Sequence, residues 1–212
     1  MIDIKCEDVY GWDAAIRGMR NPMNSWRLSD TVWTQGGSFP IIGARDLDLM
    51  QRLVKAGSDH RKFLRFITAT VDINAPFYWW KEYDTYKVGT VANSCSTMHK
   101  AHAKEFTVDD FSHEHLNEYS MNLLEDIVRV LNNSRSHYID GAPGGKEHWW
   151  QIIQLLPTSY NQKRTVMLNY EVLRNMYHAR KAHKLDEWHT FCAWVEGLPY
   201  AAQLITDKEG TQ

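Results

Sequence analysis

Only three cysteines, Cys6, Cys95 and Cys192, stand among the 212 residues. Their odd number and wide spacing fit neither a disulfide framework nor a zinc site, and they suit a reducing compartment. Strong net charge is also missing: 24 Lys and Arg oppose 26 Asp and Glu, for a formal charge of −2. No general basic field exists to draw the chain to nucleic acid or an anionic membrane, although a local basic cluster still suits one phosphate. No run approaches the ~18 apolar residues of a membrane span. The first ten residues, MIDIKCEDVY, hold no basic n-region and no long apolar core. A signal peptide is therefore not expected, and a cytoplasmic location is.

The common nucleotide signatures are absent too. There is no Gly-rich phosphate loop ending in Gly-Lys-Ser/Thr and no GxGxxG after a strand, so a Rossmann site is not expected. Neither a GxSxG elbow nor an HExxH pair occurs. With no internal repeat or low-complexity linker, a single domain over 1–212 is expected, with 206–212 as a loose tail.

Aromatic side chains, by contrast, are plentiful: nine Trp and ten Tyr. They suit an aromatic core and subunit interfaces, or stacking surfaces for a flat ligand. The hydrophobic fraction of 43% is enough for a sizeable core.

Residues 1–6 alternate and predict an edge strand. Trp12–Met19 predicts a short helix ended by Asn21-Pro22, and residues 24–43 are turn-rich, with Gly36-Gly37 and Pro40. In Arg45–Ala56 Leu47, Met50 and Val54 recur at helical spacing, and Gly57 stands where a C-terminal cap belongs. Phe66–Asn74 predicts a strand and Phe77–Lys87 a helix, while the small, polar Gly89–Met98 reads as a loop. Further helices are expected over Glu114–Leu131 and Lys146–Leu156, with a loop over Asn132–Gly145 between them. Thr165–Leu168 predicts a strand, and Asn169 a cap for a helix to Arg180. A last helix over Leu185–Ile205, bent at Gly197-Leu198-Pro199, completes the pattern. The expected class is α/β, more narrowly α+β: a helix-rich single domain with a small, mostly antiparallel sheet, too few strands for a doubly wound one.

Leu156–Arg180 is the most informative stretch. Leu173, Met176 and Arg180 share one helical face with apolar neighbours. A guanidinium there cannot be neutralised, so burial calls for a bound anion, a structural salt bridge or snorkelling to solvent. In the Gly89–His99 loop, Asn93, Ser94, Ser96 and Thr97 supply donors that suit a phosphate or a capped turn. Cys95 within it reads either as a nucleophile or as a small hydrophobe. His99 with His102, and His113 with His115, are spaced to permit ligation, yet no carboxylate pattern supports them and no metal is expected.

Leu156-Pro157, then Asn169 opening a helix, then Arg180 near its end, resemble the flavin-dependent thymidylate synthases. Upstream, GSDHRKFLRFITATVDINAPFYWW has that family's order of a Gly-His stretch, a strand and an aromatic-rich helix, with Gly57, His60, Thr68 and Phe77 in comparable places. Asn93-Ser94-Cys95-Ser96-Thr97-Met98 is similar to its signature loop, and the likeness runs over about residues 45–205. The chain resembles a divergent member. The family's Arg-His-Arg triplet has Lys81, Tyr86 and Lys87 as its nearest counterparts. Its Asn-x-Arg becomes Asn169-Tyr170-Glu171, the Arg before Leu-Pro is replaced by Ile153-Gln154, and the final Arg of the signature becomes Met98. Lys163, Arg164 and Arg174 offer replacement charge.

The resemblance implies transfer of a one-carbon unit from methylenetetrahydrofolate to C5 of dUMP, giving dTMP, with FAD as cofactor and NADPH as reductant. It implies a homotetramer with ligands where subunits meet. Arg180 would be the catalytic residue. His60, Lys81, Tyr86, Lys87, Asn169, Glu171 and Asn175 would contact FAD. Asn93, Ser94, Ser96, Gln154, Arg174 and Arg180 would hold the nucleotide. The altered arginines keep open hydroxymethylation of dUMP, another pyrimidine nucleotide, or a nucleotide-binding homologue without turnover. A thiol-dependent pyrimidine transferase using Cys95 is the competing enzyme class.

Overall fold

Residues 2–34 and 39–208 are described by a computed structural model, the side chains of Cys6 and Glu7 excepted. The Gly36-Gly37 turn expected from sequence, and 209–212 of the expected tail, lie outside the described residues. Four strands pair in one small antiparallel sheet: β1 (Asp3–Tyr10), β2 (Thr68–Pro76), β3 (Thr90–Ser94) and β4 (Asn161–Asn169). Their order is β1-β2-β4-β3, so β1 is an edge strand, as its alternation predicted. Along β2 the odd positions Ala69, Val71, Ile73 and Ala75 are fully buried, the period-two pattern that fixes register when one face is covered.

The helices are α1 (Trp12–Arg20), α2 (Ala44–Lys55), α3 (Phe77–Tyr83), α4 (Thr97–Lys100), α5 (Glu118–Ile139), α6 (Gly145–Leu155), α7 (Tyr170–Arg180) and α8 (Asp186–Glu196). The chain forms two compact units. Unit 1 is built mainly from Ile73–Thr85 and Asn93–Arg164; unit 2 from Ile4–Asp72, Tyr86–Ala92 and the chain from Thr165 onward.

Unit 1 centres on the α5–α6 hairpin, whose Leu124, Leu131 and Ile152 pack with Ala101, Phe106 and Phe111. α5 runs one full stretch further than its apolar periodicity predicts. Residues 132–139 stay helical, and two of their polar side chains bond to backbone outside the helix: Asn132 pairs with both N–H and C=O of Phe106 at 2.8 Å, and Arg135 donates to the His102 carbonyl at 2.9 Å. The expected loop over Asn132–Gly145 therefore shortens to the Gly-rich turn before α6. A second aromatic cluster joins Trp79, Trp80 and Tyr83 of α3. Burial pushes the Tyr83 hydroxyl up, with the Asp84 carboxylate adding to the shift.

Unit 2 buries Trp12 edge-on against Tyr170 and Tyr200, at 5.4 and 5.5 Å between centroids. Gly11, at φ +90°, opens α1. A Cβ there would stand 1.8 Å from the Phe66 carbonyl oxygen, so no other residue fits the approach. Asp46 of α2 is fully buried and accepts from Arg20 at 2.7 Å, from the Ser29 and Thr31 hydroxyls at 2.7 Å, and from the amides of Asp30 and Thr31. Burial alone would raise its pKa; the bonds from Thr31, Ser29 and Arg20 outweigh it and hold the carboxyl below its ordinary value.

The predicted last helix is two pieces. α8 ends at Glu196, and the chain resumes as a π-helical turn over Ala202–Thr206. Pro199 stops the continuous ladder. Tyr200 then takes a left-handed φ of 56°, held by its hydroxyl, which accepts from the Ile42 amide and donates to the Pro40 carbonyl.

Candidate functional site

α7 starts where its cap is written. The Asn169 side-chain oxygen accepts from the Val172 amide at 2.9 Å, and Glu171 in the first turn and Arg180 in the last complement the helix dipole. Leu173 and Met176 are fully buried, as the shared face required, and Arg180 at the helix end is half-buried. Its Nε donates to the Tyr86 hydroxyl at 3.0 Å. Its guanidinium lies over the Trp188 ring at 4.9 Å and the Tyr86 ring at 5.6 Å. The two rings meet edge to face, 6.3 Å apart. Such faces attract a cation and hold its plane while leaving its charge intact.

The Asn169 amide nitrogen reaches the Gly89 carbonyl at 3.4 Å. Gly89 has φ +79°, and a Cβ there would come within 2.5 Å of that nitrogen. The turn before β3 thus closes directly onto the N-terminus of α7, leading from Tyr86 and the exposed Lys87. His60 and Asn175 are exposed.

Two further arginines of unit 2 form ion pairs within the chain. Arg61 grips Glu171 in two bonds, Nε to Oε2 at 2.8 Å and Nη2 to Oε1 at 3.1 Å. The position where the resembled family carries arginine is therefore a buried carboxylate with its own internal cation. Arg174, expected to bind substrate and restore charge, donates to the Ile205 carbonyl at 2.9 Å and pairs with Asp207. This pair, with Arg174 as the main cause, holds the Asp207 carboxyl below its ordinary value. Asp207 and Lys208, expected in a loose tail, are both in ion pairs, Lys208 with Glu196 at 2.7 Å.

The stretch read as a loop contains β3 and the single turn α4. β3 shows no alternating burial, since all but its first residue are exposed; ladder bonds to β4, not side-chain packing, make it a strand. Asn93, Ser94, Cys95 and Ser96 are exposed, and the Ser96 hydroxyl caps α4 by accepting from the His99 amide. Lys81 and Gln154 are also exposed. Arg164, another expected source of charge, donates to Asp84 at 2.8 Å and stacks over Trp80 at 4.1 Å.

Three residues escaped the sequence reading. Trp188 read as one of nine Trp, and Arg61 sits beside the chosen His60 with no pattern to mark it. Gln162 stands two before Arg164 on a strand, the spacing that puts both on one face. A shallow cavity of about 210 Å³, lined by Asp13, Ile16, Arg17, Arg20, Trp26 and Ser29, shares no residue with either group. Its arginines are paired with Asp13 and Asp46. Among the described residues no three His, Cys, Asp or Glu gather as metal ligands, and no helix is long and apolar enough to cross a membrane.

No protein-family model and no curated protein matches the sequence. Among solved structures the chain is similar to thymidylate synthase X (ThyX) from Helicobacter pylori with FAD and dUMP, at TM-score 0.69 and 18% identity over 98% of both chains. A second structure, flavin-dependent thymidylate synthase ThyX from Helicobacter pylori complexed with FAD and dUMP, gives TM-score 0.68 and 18% identity, covering 97% of this chain and 98% of that one. The likeness is one of fold: a helix-rich α+β chain with a small antiparallel sheet, of the flavin-dependent thymidylate synthase type.

Proposed function

We propose that this chain transfers a one-carbon unit from methylenetetrahydrofolate to C5 of dUMP, giving dTMP, with FAD as cofactor and NADPH as reductant. One observation carries the reading. Arg180 is held between aromatic faces at the end of α7, in a fold shared with proteins described with FAD and dUMP. A guanidinium beside a uracil ring lowers the pKa of the N3–H and favours the deprotonated, C5-nucleophilic form. Its planar donors match the ring's flat edge. Tyr86 and Trp188 fix the cation's place beforehand, so little ordering remains to be done on binding.

The residues present fit a flavin: an aromatic ring at Tyr86, an amide at Asn169, and exposed cationic side chains at Lys87 and, when protonated, His60 for a diphosphate. Lys81, Glu171 and Asn175 complete the proposed flavin set, and Gln154 and Arg174 the nucleotide set. Bound there and reduced by NADPH, the flavin would supply the hydride that completes the methyl group. Asn93, Ser94 and Ser96 offer hydroxyl and amide donors to the nucleotide phosphate. The assembly proposed is a homotetramer, and the cytoplasm is its place.

Wild-type protein is expected to rescue growth of a thymidine auxotroph, and Arg180→Ala is not. Equal rescue by both contradicts the role given to Arg180. One observation favours a second reading, a nucleotide-binding homologue without turnover: the buried Arg61–Glu171 pair stands where the resembled enzymes carry a cation. It predicts dUMP binding without rescue.

A further inference from the structure

Gln162 of β4 is buried, at 7% exposure, and every polar group of its side chain is engaged within unit 1. Its Oε1 accepts from Arg164 Nε at 3.0 Å, and its Nε2 donates to the Cys95 carbonyl at 2.7 Å. The orientation of the amide is dictated, because a guanidinium only donates and a carbonyl only accepts. The backbone is tied as well: the Gln162 carbonyl accepts from the Trp80 indole at 2.9 Å. Arg164 is itself immobilised, stacked on Trp80 at 4.1 Å and bonded to Asp84 at 2.8 Å.

The consequence falls on Cys95. Its amide donates to the Lys163 carbonyl at 2.9 Å, the last bond of the β3 side, and its carbonyl is taken by Gln162. Both backbone polar groups of Cys95 are thus pinned to β4 at the point where the exposed strand turns into α4. The flanking Ser94 and Ser96 are exposed and belong to the same short turn.

We propose that Gln162 is a positioning residue for nucleotide binding: through the Cys95 carbonyl it holds Ser94 and Ser96 in place for the phosphate of dUMP. The inference rests on the function proposed above. A pinned turn loses less conformational freedom when a phosphate binds, which is where its effect on affinity arises.

Two substitutions separate the bonds. Gln162→Glu still accepts from Arg164 but cannot donate to Cys95, and it sets two acceptors against each other. Gln162→Leu removes both contacts. Binding of dUMP and of deoxyuridine, which lacks the phosphate, is measured for each by calorimetry. Both variants are expected to bind dUMP about tenfold more weakly while deoxyuridine affinity holds, the loss of one buried hydrogen bond being of that order. A second readout is alkylation of Cys95 followed by peptide mass spectrometry. In the wild type dUMP slows it, and at the same dUMP concentration the variants are protected less. Where Gln162→Leu fails to fold, the near-isosteric Gln162→Glu carries the test. Equal dUMP affinity in wild type and variants overturns the inference alone. Parallel loss of both ligands overturns it too, assigning Gln162 to the fold. A wild type that binds neither ligand overturns the function on which it rests.

Discussion

Four arginines show how one residue type takes different work from its neighbours. Arg61, Arg164 and Arg174 each meet a carboxylate: Glu171, Asp84 and Asp207. Arg180 rests on Trp188 and donates to a phenol. Sequence spacing placed Arg180 beside the buried Leu173 and Met176 but could not distinguish it from the other three. Ion-pair partners 33, 80 and 110 residues away leave no local trace. Cys95 is the contrasting case, an exposed free thiol in the proposed phosphate-holding turn. The function proposed gives it no bond to make. Cys95→Ala is expected to keep dTMP formation within about twofold of wild type, the effect of an ordinary surface change. A rate lowered a hundredfold or more indicates a thiol nucleophile instead.

Elements with their own signals were legible. α2 is written in its apolar spacing and ends before Gly57 at φ +105°, and α7 begins at an Asn that caps it. β3 was not legible, because an edge strand held by ladder bonds needs no alternating side chains. The second half of α5 was not either, because its polar residues find backbone partners far along the chain. The C-terminal π turn is a third case, and its behaviour is testable. His178 Nε2 donates to the Ile205 carbonyl at 2.9 Å, beside Arg174 and Asp207, with Lys181 nearby just past the end of α7. Burial, then the Arg174 charge, holds the imidazole below its ordinary pKa despite the opposing pull of that carbonyl and of Asp207. The folded turn therefore prefers the neutral ring. Its contribution to stability is complete above the unfolded value of about 6.5 and is lost as pH falls below it. Hydrogen exchange at Leu204–Thr206, corrected for intrinsic rate, is expected to show less protection at pH 5.5 than at pH 7.5. Protection that is unchanged or greater at the lower pH contradicts this assignment.

The whole chain joins a fold shared over nearly its full length with sequence identity of only 18%. Such a pairing is understandable physically. Period-two burial in β2, the α7 cap and the glycine approach at Gly11 constrain the backbone, while most surface positions do not. Changes at arginines of the resembled family leave the scaffold intact and fall on positions proposed to contact ligands. The central claim, that this scaffold still binds a flavin beside a pyrimidine nucleotide held by Arg180, is most directly tested by visible absorption of the purified, FAD-supplied protein titrated with dUMP. A bound-flavin band that shifts on adding dUMP is predicted, with Arg180→Ala retaining the band and losing the shift. A protein that retains no flavin, or a flavin band indifferent to dUMP, would contradict the account.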